Sequence, residues 1–87
     1  MDKTLRAKVA DLPTYWRKPG EAITRIADIL WEHGVQIVGP VSFNDAVPEA
    51  HHTYLLQDRA GRELNSMLVF AWYRLRDGMY EITAYLS

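Results

Sequence analysis

Eighty-seven residues, 48% apolar and 24% charged, make a single globular domain and exclude disorder. The absence of cysteine excludes disulfide staples and cysteine-ligated zinc, and it fits a reducing cytoplasm. A net charge of −1 argues against strong nonspecific nucleic-acid binding, and the longest apolar run, residues 67–73, is far too short to cross a bilayer as a helix.

A chain of this size buries only roughly 60–65% of the surface its unfolded form exposes, so a second chain covering apolar surface would add stability. The opening Met1-Asp2-Lys3-Thr4 has no apolar run behind its charges and is not expected to be a signal peptide. Charge is unevenly spread: residues 1–18 are net +3, residues 19–58 are −5 and residues 59–87 are +1. The basic N-terminal stretch reads as part of a mixed solvated surface.

In chain order, residues 3–12 are expected to form a short helix, with Leu5, Val9 and Leu12 at i, i+4 and i+7 and Pro13 as its stop. Residues 14–20 read as a connector punctuated by Pro19 and Gly20, carrying Tyr15 and Trp16. The clearest helix is 20–33. Ala22, Ile23, Ile26, Ala27, Ile29 and Leu30 give it one broad apolar face, Glu21 suits the positive end of its dipole, and Gly34 is its expected left-handed stop. Residues 35–43 read as an edge strand kinked at Gly39-Pro40, and residues 44–50 as a loop.

From His52 onward the pattern is strand, turn, long strand, turn, strand. In the first turn, a three-residue loop with Gly61 left-handed sets Asp58 opposite Arg62, whereas a two-residue Ala60-Gly61 loop sets Asp58 against Glu63. Charge favours the former. In the second turn, Asp77-Gly78 signals a two-residue loop. That register pairs Arg74 with Glu81, Trp72 with Thr83 and Phe70 with Tyr85. One face then holds Val69, Ala71, Tyr73, Leu75, Tyr80, Ile82, Ala84 and Leu86, carries no charge, and is the expected core face beneath the second helix. The other holds Leu68, Phe70, Trp72, Met79, Thr83 and Tyr85 with the Arg74–Glu81 pair. The expected fold is α+β, in the order ααββββ: two N-terminal helices packed on one face of a three- to four-stranded antiparallel sheet.

Little in the chain points to catalysis. His51 and His52 are neighbours, and neighbours in a strand point to opposite faces, so solvated loop histidines are the expectation. His33 beside Gly34 suits the negative end of its helix. No Ser-His-Asp order and no glycine-rich phosphate loop stands out, and Asp58 and Glu63 flank a tight turn. No catalytic residue, metal or cofactor is expected.

Two helices followed by antiparallel strands, with His33-Gly34-Val35 and the later strands at 68–73 and 80–86, are similar in outline to the small ribonuclease toxins of the RelE/ParE superfamily and their BrnT branch. The resemblance implies a ribonuclease with Arg74, Arg76, His52 and Glu81 as its working residues. The chain departs from that pattern: it opens on a helix where those toxins open on a strand, it is slightly acidic where they are basic, and Ile82-Thr83-Ala84-Tyr85-Leu86 lacks a basic residue. A further alternative is a single-stranded nucleic-acid platform with Phe70, Trp72 and Tyr85 stacking on bases. That face offers only Arg74 as a cation, already paired with Glu81.

The reading preferred from the sequence is a non-enzymatic protein-interaction module acting in the cytoplasm. Leu68, Phe70, Trp72, Arg74, Met79, Glu81 and Tyr85 form its expected partner-binding surface, because bare rings mark interaction sites and Trp, Tyr and Arg anchor interfaces. The expected partner is a protein: a second copy, giving a homodimer, or a target that the chain inhibits, as short motif-free chains of phages and plasmids often do. Neither nucleic acid nor a membrane is expected. The competing expectation is that the first helix or the Tyr15-Trp16 connector folds over these rings and closes the core.

Overall fold

Asp2 opens the first helix. In the computed structural model, which describes residues 2–39, 41, 44 and 46–87, its carboxylate accepts the Thr4 backbone N–H at 2.8 Å, satisfying a donor with no partner inside the helix. Helix α1 (Lys3–Ala10) buries Leu5 and Val9. Helix α2 (Pro19–Glu32) starts on Pro19 and buries Ala22, Ile23, Ile26, Ile29 and Leu30, the apolar face expected from its spacing. The two helices are tied at one end: Lys8 Nζ donates to His33 Nε2 at 3.1 Å, and His33 Nδ1 lies 3.8 Å from Asp2 Oδ2.

The class is α+β, with strand β1 (Tyr15–Trp16) between the helices and β2 (Val35–Ile37), β3 (Glu49–Asp58), β4 (Glu63–Arg74) and β5 (Tyr80–Leu86) after them. The sheet has five strands in the order β1-β5-β4-β3-β2, all antiparallel. The extra strand is the connector expected at residues 14–20. Its Thr14 carbonyl accepts the Ile82 N–H at 2.7 Å, which sets Tyr15 opposite Glu81 and Trp16 opposite Tyr80. Two residues show no sequence period, so this strand had no signal of its own. The strand expected at 35–43 is shorter: it ends at Ile37, with the Val38 N–H still donating to Leu55 O at 2.9 Å. Pro40, Ser42 and Phe43 of that expectation, and Asp45 of the loop after it, lie outside the described residues.

Both long hairpins close with the same three-residue loop. In the first, Asp58 N–H donates to Arg62 O and Gly61 N–H returns to Asp58 O, while the Asp58 carboxylate accepts the N–H groups of Ala60 and Arg62. This is the loop that charge favoured. In the second, Leu75 N–H donates to Met79 O, Gly78 N–H donates to Leu75 O, and Asp77 accepts the Met79 N–H. The two-residue Asp77-Gly78 loop is therefore corrected. That loop needs positive φ at both residues. Here Gly78 has φ +87°, and among the described residues none other than glycine is positive. The three-residue loop spares Asp77 a left-handed backbone and leaves it to glycine alone.

One residue of shift exchanges faces. Arg74 pairs with Tyr80 instead of Glu81, Trp72 with Ile82, Phe70 with Ala84 and Leu68 with Leu86. The core face is therefore Leu68, Phe70 and Trp72 with Tyr80, Ile82 and Leu86, packed in one cluster with the apolar faces of α1 and α2. The β5 half of the expected core face holds. The β4 half, Val69, Ala71 and Tyr73, turns the other way. Arg6 ties α1 to the end of this sheet, donating to Leu86 O at 2.8 Å, Ser87 O at 3.2 Å and the buried Ser66 hydroxyl at 3.4 Å. At the other hairpin tip, Arg59 stands 4.8 Å over the Trp31 ring and donates to Trp31 O at 2.8 Å, a cation at the C-terminal end of α2.

The two loop types respond differently to substitution. Arg76 occupies the second position of the observed turn, where proline is favoured, so Arg76→Pro shifts the urea stability by no more than about 0.5 kcal/mol. Gly78→Ala, forced to positive φ, loses roughly 1–2 kcal/mol. Severe loss in Arg76→Pro would restore the two-residue loop, in which that residue is part of the strand ladder.

Candidate functional site

Side chains of β3, β4 and β5 that point away from the helices form a second face. The register arranges them in rows: Tyr15, Glu81, Tyr73 and Glu49; then Thr83, Ala71 and His51; then Tyr85, Val69 and Thr53; then Met67 and Leu55. Between Glu63 and Met67 β4 carries two more residues than β3 does opposite, and this even offset keeps the faces in phase. No member of these rows belongs to the buried cluster. Tyr15 is 58% exposed, Tyr73 56%, Tyr85 48% and Leu55 44%. The centre of the face, Val69, Ala71 and Met67, is apolar and half-buried.

The residues singled out from sequence do not share one surface. Leu68 and Phe70 are 0% exposed and Trp72 is 3%, so these three of the seven are core. Trp72 packs edge-on against Phe70 and beside His52, and its Nε1–H donates to Val47 O at 2.9 Å. The segment at 46–48 therefore closes over the ring, and Arg74 N–H bonds Pro48 O at 2.7 Å to hold it there. The competing expectation holds for Phe70 and Trp72, which join the core with Trp16 packed against it, and fails for Tyr85, which stays outside. Arg74 is exposed at the end of β4, and Met79 sits in the turn. Glu81 and Tyr85 are the two members that lie on the bare face, where Tyr15, Tyr73, Val69, Met67, Leu55 and Glu49 join them. The signal for these was the glycine in third place of the second loop, the same form as Gly61 in the first.

The alternatives lose their geometry with the same shift. Phe70 and Trp72 lie on one side of the sheet and Tyr85 on the other, so they make no stacking platform. Of the residues implied by the toxin resemblance, Glu81 is on the bare face, His52 is on the core side against Trp72 and Tyr54, and Arg76 is in the turn. They do not converge. Desolvation raises the pKa of the Tyr54 phenol above its ordinary value, which keeps it neutral. A cleft of about 270 Å³ opens between α1, β1, α2 and β5, lined by Val9, Leu12, Trp16, Ile26 and Ile82 among others. That is under the roughly 300–1,000 Å³ of small-molecule pockets, and no catalytic set of side chains lines it. Among the described residues, no group of three His, Asp or Glu gathers to hold a metal, and no helix is long and apolar enough to cross a membrane.

No family model matches the chain, and neither a curated protein nor a solved structure matches it.

Truncating rings on the two faces separates them. Phe70→Ala costs about 3–5 kcal/mol of unfolding free energy in urea. Tyr73→Ala and Tyr85→Ala cost roughly 0.5 kcal/mol each, as solvated substitutions do. Comparable losses on both sides would mean that the bare face is covered in solution.

Proposed function

We propose that this chain is a protein-interaction module, working by stoichiometric contact and not by catalysis, and that the bare face of its sheet is the contact surface. The exposure of Tyr15, Tyr73, Tyr85 and Leu55 around an apolar centre carries the reading. An antiparallel sheet with one face in water ordinarily alternates apolar-in with polar-out. In β4 the outward positions begin polar, with Glu63 and Asn65, and then run Met67, Val69, Ala71 and Tyr73, four in a row that a solvated strand has no use for. Tyrosine supplies large rigid contact area with a polar tip, a property that suits repeated exposure and burial.

Edges and area narrow the form of the contact. The sheet is bordered by strands of two and three residues, and such short edges blunt strand-to-strand pairing between molecules. Contact thus falls on the face. Four rows across the sheet project to roughly 450 Å² from strand spacing and rise. That lies within the roughly 300–600 Å² of the largest patch on a typical monomer, which is often functional, and is about half of the ~800 Å² each partner gives to a standard stable interface. A reversible contact fits this area, and binding to inhibit a protein target in the cytoplasm is one use of it. The homodimer expected from sequence is the other form such a face can take.

Light scattering on the isolated chain, with Val69→Ser and Tyr85→Ser beside wild type, tests the reading. A mass of twice 10.0 kDa that halves in the variants identifies a second copy as the occupant. A monomer that retains a host protein which both variants lose identifies a different partner. A monomer whose retained proteins are the same with and without the substitutions ends the proposal.

A further inference from the structure

Building on the bare face as a contact surface, we infer that its occupant is a basic protein segment, one of whose arginine or lysine side chains seats between Tyr15 and Tyr73 against Glu81 and Glu49. The register places these four in a single row across β1, β5, β4 and β3. Cross-strand neighbours stand roughly 5 Å apart, so rings and carboxylates alternate at a spacing that a guanidinium or ammonium group spans. Both tyrosines are more than half exposed, and both glutamates are exposed. Among the described residues the one carboxylate with a basic side chain within 4 Å is Asp2, beside His33 at 3.8 Å, so neither Glu49 nor Glu81 draws a cation from its own molecule. At the other end of the molecule the Trp31 ring has its cation supplied by Arg59. The Tyr15–Tyr73 row has the rings and the negative charge and lacks the cation.

Charge balance chooses among occupants. The strand positions of this face hold Glu49, Glu63 and Glu81 and no lysine or arginine. Beside its His51, a second copy brings three more carboxylates and no lysine or arginine on these strand positions, and nucleic acid brings phosphates. Like charges set opposite one another suppress such pairings. The projected area is also short of what a stable dimer needs. A segment that alternates apolar and basic side chains satisfies both parts of the face. Its apolar groups meet Val69, Ala71 and Tyr85, and its cation meets ring faces and carboxylates together, the geometry in which cation–π and ionic attraction add.

The probe is a capped peptide alternating arginine and leucine, with a control carrying glutamate for arginine, titrated into isotope-labelled protein while backbone amide resonances are followed. The arginine peptide is expected to shift Tyr15, Glu49, Tyr73 and Glu81. Its affinity should fall as salt screens the contact. Glu49→Gln combined with Glu81→Gln should weaken it roughly fivefold, with the urea midpoint unchanged to show an intact fold. Equal binding of both peptides on this face, indifferent to the glutamine variants, overturns the cation seat and leaves the contact surface standing. A dimer dispersed by Tyr85→Ser does the same. Arginine-peptide shifts that map to another surface overturn the inference. A monomer in which neither peptide shifts this face, and which retains no partner through it, overturns both readings.

Discussion

The backbone of Gly78 decides which side of this protein is inside. With its φ at +87°, the second hairpin closes over three residues, and Leu75 bonds Met79. Everything downstream follows from that parity. Trp72 meets Ile82, Phe70 meets Ala84, and the large rings of β4 fall beneath the helices together with Tyr80 and Leu86. A two-residue closure would present Val69, Ala71 and Tyr73 to the helices and push Phe70 and Trp72 into water. The three-residue loop therefore gains twice: it avoids a left-handed aspartate, and it buries two rings of β4, Phe70 and Trp72, where the other closure buries one, Tyr73.

That parity mattered because β4 does not declare its faces. Residues 67–73 are apolar at every position, so alternation, the usual guide to inside and outside, is silent there. β5 alternates plainly, and its inward set, Tyr80, Ile82, Ala84 and Leu86, was legible. The apolar stripe of α2 and the stops of both helices were legible too, because a 3.6-residue period and a proline each leave a local mark. The first hairpin was read correctly because Asp58, Arg62 and Glu63 gave charge a vote between its two loops. The second offered an Arg74–Glu81 pairing that looked favourable and pointed the wrong way. An exposed pair contributes little, and the burial of Phe70 and Trp72 outweighs it many times over. The candidate site inherited that error. Glu81 and Tyr85 were placed on it correctly, whereas Tyr73 and Val69 were assigned to the core they face away from.

The bare face is also a consequence of proportion. Two helices, of eight and fourteen residues, must cover a sheet of five strands. Leu5 and Val9 from one, and Ile26 and Leu30 from the other, are spent on the same side. Arg6, Lys8 and Arg59 then anchor those helices to the C-terminal strand, to each other and to the first hairpin tip. Neither of these helices covers the opposite side. A two-layer domain of this length ends with one sheet face in water, and composition decides what that face can do.

Here composition sets apolar area beside charge of a single sign. A bare face of tyrosine, valine and methionine invites copies of the same chain to stack. Glutamates at 49, 63 and 81 raise the cost of that stacking, since each copy adds carboxylates with no lysine or arginine on these strand positions to answer them. The same arrangement lowers the cost for a partner that carries cations among its apolar groups. On the proposed reading, holding copies apart and selecting a basic partner thus fall to one set of side chains. The row in which Tyr15, Glu81, Tyr73 and Glu49 alternate is where the two demands meet most closely, because there the charge that would keep copies apart sits between the rings that a partner would cover.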